Sequence, residues 1–325
     1  MKIAVDAMGG DNGSLPIIEA IKEFKKNNQD VEIVVFGKEE ELFELSSIAK
    51  VINAPDIVPM EAGALEVIRM KESSMCKAIT MMKEENYDAV VSCGSTGGFL
   101  SAATLILKSI PGVKRSALVT AFPTKIKGKK VVVLDVGANN ENNAEELVQF
   151  AFMGKAYSEA IFKTQEPKLY LLSNGSEAHK GSPLVKETHK LLKESNFPGF
   201  MGNMEARDVF NGEADIIVAD GFSGNVLLKG MEGIAKMMSQ MIKDNFKKNL
   251  WTKLGYLHVM GGFKNMSETM DYKSVGGAML LGINGVVVKA HGNSDAYSFM
   301  NALRVAKEMV NYDIVFKIKE SLGHE

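Results

Sequence analysis

Loops that follow the predicted strands carry the residue types best suited to chemistry. Six of these loops combine glycine with Asp, Asn or Ser, and they are Asp6–Asp11, Ser92–Gly98, Asp135–Asn139, Asn174–Gly181, Asp220–Asn225 and His291–Ser294. Glycine lets the backbone turn tightly and approach a ligand closely, and a helix that follows directs free N–H groups at an anion. Taken alone, each loop is also typical of a helix cap or a tight turn. Together they predict a polar cleft that binds a ligand.

The loops match no nucleotide-binding or metal-binding pattern. The sequence contains neither a phosphate-loop lysine pattern nor a complete dinucleotide-binding glycine pattern. No two histidines have zinc-binding spacing on a helix, and Cys76 and Cys93 lie in different segments. We therefore expect no cofactor and no metal.

The composition is that of an ordinary globular protein. The chain has 325 residues, of which 46% are hydrophobic and 24% are charged. A formal net charge of -2 gives no overall attraction to nucleic acid. The chain begins with the strand-like run Ile3–Val5 instead of a leader, and no apolar stretch is long enough to span a bilayer. We therefore do not expect secretion, and any contact with a membrane would be made from its surface.

Short apolar runs alternate with longer helical patterns along the chain. The strand-like runs are Lys2–Asp6, Val31–Phe36, Lys50–Asn53, Asp88–Ser92, Ala117–Phe122, Lys130–Val136, Lys168–Leu172, Asp215–Ala219 and Gly285–Ala290. The helical patterns include Leu15–Asn27, Ala64–Glu85, Gly97–Ser109, Asn142–Lys163 and Ser294–Leu322. Runs that are apolar throughout suit strands buried on both faces of a mostly parallel sheet. The rhythm predicts a three-layer α/β/α doubly wound fold.

We interpret residues 1–325 as a single α/β domain, because no repeat or long linker interrupts the pattern. Lys125–Lys130 is typical of a solvated hairpin turn between two strands. Ligands bind outside the carboxyl ends of the strands in an open parallel sheet. We therefore expect all six glycine loops at one edge of the sheet.

The stretch Phe222–Asp271 has no strand and predicts a helical hairpin that projects from the sheet at about residues 230–270. Apolar residues recur in it at helical spacing, and they are Ile234, Met238, Met241, Ile242, Phe246, Leu250, Leu254 and Leu257. The nearby lysines are Lys236, Lys243, Lys247, Lys248 and Lys253. This pattern suits a helix packed on its own core or on a dimer mate. It also suits a surface that touches a membrane, with Trp251 as an anchor, or that docks an acidic protein.

The order of the loops resembles that of the bacterial acyl-acyl-carrier-protein:phosphate acyltransferases of phospholipid synthesis. The resemblance spans nearly the whole chain. Its collinear motifs are Asp6–Asp11, Arg69 and Lys71 with Ser73–Met75, Ser92–Gly97, Asp135–Asn139, Gly175, Glu177 with Lys180–Gly181, Asp220–Asn225 with Lys229, Gly276–Ala278 with Leu280–Gly282, and His291–Gly292. Two departures lie in the predicted cleft, where Ser95 replaces the usual Asn and Asn174 the usual Ile.

The resemblance implies a fold like that of phosphotransacetylases and isocitrate dehydrogenases, and an enzyme that acts as a homodimer. Such enzymes transfer the acyl group of a fatty acyl thioester of acyl carrier protein to inorganic phosphate. A membrane acyltransferase then uses the acyl phosphate to acylate glycerol 3-phosphate. We expect acyl carrier protein, phosphate and a membrane glycerol-3-phosphate acyltransferase as partners, and no nucleic acid.

Three residues are expected to carry the reaction. Lys180 aligns with the lysine of the family's Glu-x-x-Lys-Gly motif, and the resemblance implies that it binds phosphate and stabilises the oxyanion. Without the resemblance it would be a surface lysine at a helix start. Asn225 is expected to contact phosphate or the carbonyl oxygen. His291 is expected to protonate the leaving thiolate, or to be a buried histidine at a strand end. Cys93 as a covalent nucleophile is the less favoured alternative, because a cysteine at a strand end usually packs.

The glycine loops supply the remaining phosphate-binding candidates. They are Asp6, Gly9, Gly10, Gly94, Ser95, Thr96, Gly97, Asn139, Asp220 and Gly224. Asp6 and Asp220 have a second interpretation, as helix caps or as carboxylates that orient lysines.

Three other functions agree with parts of the sequence. A phosphotransacetylase with a coenzyme A donor would share the fold and the phosphate site, but the basic, Met-rich helical segment argues against it. A nicotinamide-dependent dehydrogenase would need a ribose-binding carboxylate and an aspartate cluster, and neither is found at convincing spacing. A non-catalytic membrane scaffold for lipid enzymes would tolerate Lys180→Ala with no loss of product.

Overall fold

The structure is a computed structural model that describes residues 1–59, 61–269 and 276–323. The strands are β1 (Lys2–Asp6), β2 (Glu32–Gly37), β3 (Lys50–Asn53), β4 (Ala89–Ser92), β5 (Ala117–Pro123), β6 (Lys130–Leu134), β7 (Leu169–Ser173), β8 (Phe200–Glu205), β9 (Ile216–Val218), β10 (Ala278–Leu281) and β11 (Val286–Lys289). The helices are α1 (Leu15–Asn27), α2 (Glu39–Leu42), α3 (Ala64–Arg69), α4 (Ser74–Glu84), α5 (Thr96–Leu107), α6 (Ala144–Phe162), α7 (Pro183–Glu194), α8 (Gly221–Lys247), α9 (Leu250–Thr269), α10 (Ala296–Asn311) and α11 (Ile314–Ser321). Short 3-10 helices occupy Phe43–Leu45 and Val209–Asn211.

These strands form one sheet in the order β3-β2-β1-β4-β11-β10-β5-β6-β9-β7-β8. Strands β1, β2, β3, β4 and β11 are parallel to one another, and so are β6, β7, β8 and β9. Three antiparallel pairings separate the two parallel blocks, and they join β11 to β10, β10 to β5 and β5 to β6. The mostly parallel α/β/α sheet expected from the sequence is confirmed.

The second parallel block runs opposite to the first, because an odd number of antiparallel pairings lies between them. The loops after β1, β4 and β11 therefore lie at one edge of the sheet, and the loops after β6, β7 and β9 lie at the other. The expectation that all six glycine loops share one edge is wrong. The reversal follows from the hairpin at Lys125–Lys130, which joins β5 to β6 directly, without the crossover helix that parallel strands require.

Helices cover both faces of the sheet and enclose two apolar cores. Ile3 and Val5 of β1 belong to the core under α1, α6 and α10, whereas Ala4 belongs to the core under α4 and α5. The strand is therefore buried on both faces, which explains why it is apolar without alternation.

Two predicted helices are each divided in the structure. The side chain of Ser73 accepts a hydrogen bond from the N–H of Cys76 at 3.4 Å and starts α4, so the predicted helix Ala64–Glu85 becomes α3 and α4. Asp313 has a φ of +48° and separates α10 from α11 within the predicted helix Ser294–Leu322. A left-handed residue interrupts a right-handed helix because its neighbours no longer continue the hydrogen-bond ladder.

Strands β8 and β10 were not among the predicted strands. Strand β8 lies at the edge of the sheet and contains Gly202 at a φ of +113°. Strand β10 has four residues and is enclosed by Gly277 and Gly282, both with positive φ. Such short or glycine-interrupted strands give little pattern from which to predict them.

Helices α8 and α9 form the projecting hairpin expected from the sequence. The buried residues of α8 are Gly221 and Gly224, both in its first turn, and Leu227 and Leu228 pack partly buried against the core. Beyond Glu232 most residues of α8 are exposed, so this part of the helix projects from the sheet. The rings of Phe246 and Tyr256, one from each helix, lie with their centroids 5.2 Å apart. Residues 270 and 271, at the end of the predicted projection, lie outside the described residues. Among the residues that are described, no helix is both long enough and apolar enough to cross a membrane.

Candidate active site

A cavity of about 350 Å³ lies over one face of β5, between the start of α5 and the first turns of α8. Its lining includes Leu118, Thr120 and Phe122, which are alternate residues of β5 and therefore share a face of the strand. The cavity thus lies above the strand that separates the two parallel blocks.

Polar residues from both parallel blocks meet in this cavity. Thr96 and Gly97 of α5 and His291 after β11 come from the first block, and Asn225 of α8 comes from the second. These are the predicted site residues that the structure brings together. They are united by the cleft between the blocks, where loops from opposite edges of the sheet approach each other.

The start of α8 places Asn225 at the mouth of the cavity. Asp220 is the N-cap of this helix, and its carboxylate accepts the N–H of Ser223 at 2.9 Å. A Cβ at Gly137, whose φ is +123°, would come 3.1 Å from Cγ of Asn225, so the Asn225 side chain lies against the loop after β6. Asp220 and Gly224 do not line the cavity themselves. They hold the helix turn from which Asn225 projects.

Asn139 stabilises the loop after β6. Its side chain donates hydrogen bonds to the carbonyl oxygen of Ser116 at 2.8 Å and to the carboxylate of Asp135 at 2.7 Å. Asp135 also accepts the N–H groups of Leu118 and of residues 137–139. Burial raises the pKa of Asp135, and these hydrogen bonds oppose the rise. Asn139 is therefore engaged within the loop and is not part of the cavity lining.

Asp6 is fully buried and supports the loop before α5. Its carboxylate accepts hydrogen bonds from the hydroxyls of Ser74 at 2.6 Å and Ser92 at 2.7 Å. The Ser92 hydroxyl in turn accepts the N–H of Gly94 at 3.0 Å. Burial raises the pKa of Asp6, and the serine hydroxyls oppose the rise. Asp6 acts on the cavity through this loop and is not an N-cap.

Glycines let the loops after β1 and β4 touch. A Cβ at Gly9 would lie 2.5 Å from Cα of Gly94, and one at Gly10 would lie 2.7 Å from Sγ of Cys93. Ser95 caps α5 by accepting the N–H of the third helical residue at 3.3 Å. These predicted site residues shape the loop that carries Thr96 and are themselves outside the cavity lining.

Lys180 is exposed in the loop between β7 and α7 and does not line the cavity. Its N–H donates to the carbonyl oxygen of Glu177 at 2.9 Å, and a Cβ at Gly175 would lie 2.7 Å from its Cγ. Its loop belongs to the second block, two strands from β6 in the order β6-β9-β7. The catalytic role of Lys180 remains a prediction from the family resemblance.

Three charged residues that the sequence analysis did not assign to the site line the cavity: Lys229, Glu232 and Lys289. Lys229 forms an ion pair with Glu232 at 2.9 Å, and Nε2 of His291 lies 3.7 Å from Oε1 of Glu232. Lys229 could have been found from its position four residues after Asn225 on a helix, where side chains share a face. Lys289 had a signal as the single charge within the apolar run Val286–Ala290. No signal in the sequence distinguishes Glu232.

The described residues of the cavity carry net positive charge. Among them, two ammonium groups and one carboxylate line the cavity, which gives a charge of +1 when His291 is neutral. Burial lowers the pKa of Lys289 to about 8, so its ammonium form prevails at neutral pH. Burial also lowers the pKa of His291. The positive charges of Lys289 and Lys229 lower it further, whereas the carboxylate of Glu232 raises it. A concave site of this charge attracts anions.

Cys93 is packed in the core. Burial raises the pKa of its thiol to about 12, so it is not the reactive thiolate at neutral pH. It is also not among the cavity-lining residues. In the part of the chain that the structure describes, no three His, Cys, Asp or Glu residues are grouped so as to hold a metal ion.

Sequence comparisons identify relatives that match the chain along its whole length. Residues 1–317 match the family described as "Fatty acid synthesis protein". The phosphate acyltransferase of Thermoanaerobacter pseudethanolicus is 42% identical over 332 residues, which cover 100% of this chain and 99% of that protein. The phosphate acyltransferase of an Exiguobacterium species is 42% identical over 327 residues, which cover 99% of each chain.

Solved structures with a similar fold are much less similar in sequence. A branched-chain phosphotransacylase from Enterococcus faecalis superposes with a TM-score of 0.60 at 16% identity, covering 95% of this chain and 100% of that chain. A phosphotransacetylase from Streptococcus pyogenes gives a TM-score of 0.57 at 18% identity, covering 99% and 94%. A 4-hydroxythreonine-4-phosphate dehydrogenase from Klebsiella pneumoniae gives 0.54 at 13% identity, covering 95% and 98%. These similarities establish the fold and confirm its expected likeness to phosphotransacetylases.

Proposed function

The chain belongs to the family of fatty acid synthesis proteins that includes the phosphate acyltransferases, and on this premise we propose that it transfers a fatty acyl group from acyl carrier protein to inorganic phosphate. Its class, an acyltransferase, follows from the family. The products of the proposed reaction are acyl phosphate and free acyl carrier protein. The observation that carries the proposal is the positively charged cavity in which Asn225 and His291 lie together.

The reaction requires a bound anion, an oxyanion donor and a proton for the leaving group. An oxygen of phosphate attacks the thioester carbonyl carbon, and the carbonyl oxygen becomes an oxyanion. The C–S bond then breaks, the carbonyl forms again in the acyl phosphate, and the thiolate takes up a proton. Because phosphate is itself the nucleophile, the reaction needs no covalent enzyme intermediate. Holding phosphate beside the thioester is therefore the main task of the site.

The cavity residues suit these three tasks. Thr96 and Gly97 are in the first turn of α5, where unpaired backbone N–H groups favour an anion. The side-chain amide of Asn225 is a donor for the oxyanion. His291, beside Glu232, is a donor for the thiolate.

The first experiment mixes the purified protein with palmitoyl-acyl carrier protein and phosphate and measures free carrier thiol and acyl phosphate. A parallel reaction uses palmitoyl-coenzyme A. Phosphate-dependent thiol release from the carrier substrate alone supports the proposal. Release from coenzyme A alone would identify a phosphotransacetylase, the second candidate function. A folded protein that turns over neither substrate would contradict the catalytic proposal and favour a scaffold in lipid synthesis.

Lys180 is tested separately because it lies outside the cavity. The family resemblance predicts that Lys180→Ala lowers thiol release at least about tenfold, as loss of an oxyanion or phosphate contact does. Lys186→Ala, an exposed lysine on α7, is the matched control and should retain wild-type activity. Equal activity of the two variants would remove Lys180 from the mechanism.

The exposed surface of the α8–α9 hairpin supports proposed partners. Its exposed apolar side chains include Ile234, Met237, Met241, Trp251 and Leu254. Apolar side chains of this size, flanked by lysines, suit a second copy of the chain, a membrane surface or acidic acyl carrier protein. We propose that the protein is a cytoplasmic homodimer that contacts the inner face of the membrane. There a membrane glycerol-3-phosphate acyltransferase would consume its product in phospholipid synthesis.

Two measurements distinguish a second copy of the chain from a membrane as the partner of the hairpin surface. Sedimentation velocity determines whether the chain is a dimer, and sedimentation with vesicles of anionic and of neutral lipid measures membrane binding. Met241→Glu places a charge on the exposed apolar surface and should weaken dimer formation or vesicle binding, whichever uses it. Leu65→Glu, at an exposed apolar residue of α3, is the control. If neither association is detected in the wild-type protein, the hairpin has another role.

A further inference from the structure

Lys289 is the most deeply buried ionisable side chain of the cavity. It is the last residue of β11. It pairs with Ser92 of β4 on one side and with Ala278 of β10 on the other. Only 7% of its surface is exposed, yet it contributes to the cavity lining. Its position in the middle of a sheet leaves its ammonium group little access to bulk water.

Among the described residues, no carboxylate neutralises Lys289 at short range. In the described ranges, no Asp or Glu oxygen lies within 4 Å of its ammonium group, which donates to the carbonyl oxygen of Ala290. Asp6 attracts its charge from further away, but that carboxylate already accepts hydrogen bonds from two serine hydroxyls. Lys229, a second lysine among the described lining residues, has Glu232 at 2.9 Å. Lys289 is therefore more available than Lys229 to bind an incoming anion.

The backbone at Lys289 packs closely against Gly277. Gly277 has a φ of +114°, and a Cβ there would come within 2.4 Å of the carbonyl oxygen of Lys289. Residues two apart along an extended chain project to the same face, and Lys289 and His291 both line the cavity. A buried charge without an opposite charge beside it is costly, so the ammonium group of a buried lysine that lines a cavity is suited to an incoming anion.

We propose that Lys289 is a phosphate-binding residue, whose ammonium group holds the attacking phosphate in the cavity beside His291. The inference rests on the proposed function, which identifies the anion. The ammonium group can donate charge-assisted hydrogen bonds to phosphate oxygens without first giving up a carboxylate. Lys229 contributes less, because Glu232 competes with phosphate for it.

The test uses Lys289→Met, which removes the charge and retains an unbranched side chain. The KM for phosphate should rise at least about tenfold, as expected for loss of a hydrogen bond to a charged group. The KM for palmitoyl-acyl carrier protein should stay within about twofold of its wild-type value. Lys130→Met is the matched control, because Lys130 is a partly buried strand lysine outside the cavity lining.

Phosphate binding is also measured without turnover, as the rise in thermal midpoint that inorganic phosphate produces. This rise should be present in the wild type and in Lys130→Met and absent in Lys289→Met, with Lys289→Gln as a second variant if the first does not fold. A folded Lys289 variant with a wild-type phosphate KM and a wild-type thermal shift would overturn the inference. The wild type could instead release no thiol but gain stability from phosphate, while Lys289→Met gains none. This result would refute the acyl transfer and support the anion site.

Discussion

A Cβ atom on Gly224 would lie 1.8 Å from the carbonyl oxygen of Asp135, so the first turn of α8 is in direct contact with the loop after β6. Gly221, in the same turn, would bring a Cβ within 2.0 Å of the carbonyl oxygen of Asn139. Such contacts leave no room for a side chain unless the helix moves. Because Asn225 follows Gly224 directly, the same contacts determine where the Asn225 amide lies in the cavity.

Gly224→Ala should therefore reduce both stability and activity. The added methyl group overlaps backbone atoms and should lower the free energy of unfolding by about 2 kcal/mol or more. Displacement of Asn225 should lower thiol release at least about tenfold. Urea unfolding and the palmitoyl-acyl carrier protein assay measure the two effects.

Gly230→Ala is the control on the same helix, because nothing lies within 4 Å of a Cβ built there. Replacing an exposed helical glycine by alanine usually stabilises a helix by about 0.5–1 kcal/mol. If Gly224→Ala matches the wild type in stability and activity, the close contact of α8 does not control the site.

Asp6→Asn should destabilise the loop before α5. The buried carboxylate accepts hydrogen bonds from the hydroxyls of Ser74 and Ser92 and from the N–H of Met8. An asparagine amide would place its own N–H donors opposite at least one of these groups, and that hydrogen bond would be lost. We expect the free energy of unfolding to fall by about 1–3 kcal/mol, measured by urea denaturation. Asp30→Asn is the control.

Asp30 forms an exposed ion pair with Lys307 at 3.5 Å, and 73% of its side chain is accessible. Its replacement should change stability by less than about 1 kcal/mol. A loss in Asp6→Asn no larger than that in Asp30→Asn would show that the buried network does not stabilise the loop.

Glu232→Gln should shift the pH dependence of thiol release. The carboxylate of Glu232 opposes the lowering of the His291 pKa by burial and by the two cavity lysines. Removing it should lower the pKa further, so His291 loses its proton at a lower pH. If His291 protonates the thiolate, the activity should decline at a lower pH than in the wild type, as a full pH–rate profile would show.

Glu187→Gln, on the exposed surface of α7, is the matched control and should leave the profile unchanged. An unchanged profile in Glu232→Gln would mean that His291 is not the proton donor or that its charge does not depend on Glu232.

The sequence predicted the fold class and most of the helices and strands. Its strand-like segments are apolar throughout, as in strands buried on both faces of a sheet, and they alternate with helical patterns. It also predicted the hairpin turn between β5 and β6, and this turn is why the two parallel blocks run in opposite directions. The strand pairing of β10 with β5 and β11 depends on residues far apart in the chain, and its four-residue run gives no local signal. The expected single edge was therefore wrong although nine of the eleven described strands were predicted.

The candidate site was predicted in part for a related reason. Loop composition identified Thr96, Gly97, Asn225 and His291, which the structure brings together. It could not distinguish residues that face the cavity from residues such as Asn139, whose amide is used within its own loop. That difference depends on side-chain direction, and a sequence motif does not specify it.

Lys289 should make the stability of the protein depend on pH. Burial lowers its pKa from an ordinary 10.5 to about 8, and the groups that act on it electrostatically are Asp6, Asp11, Cys93 and Lys229, with His291 nearby. Between these two pKa values the unfolded chain binds more protons at this lysine than the folded chain, so the free energy of unfolding rises with pH. The gain should be about 2 kcal/mol between pH 8 and about pH 10.

The difference in unfolding free energy between wild type and Lys289→Met reports this effect, because groups far from Lys289 titrate alike in both proteins. We expect the variant to be the more stable protein at neutral pH without phosphate, since it replaces a buried charge by an apolar side chain. Its advantage should shrink as the pH rises, and saturating phosphate at neutral pH should reduce it by stabilising the wild type alone. A difference independent of both pH and phosphate, followed by urea denaturation, would mean that the Lys289 ammonium group is neither poorly solvated nor used to bind the anion.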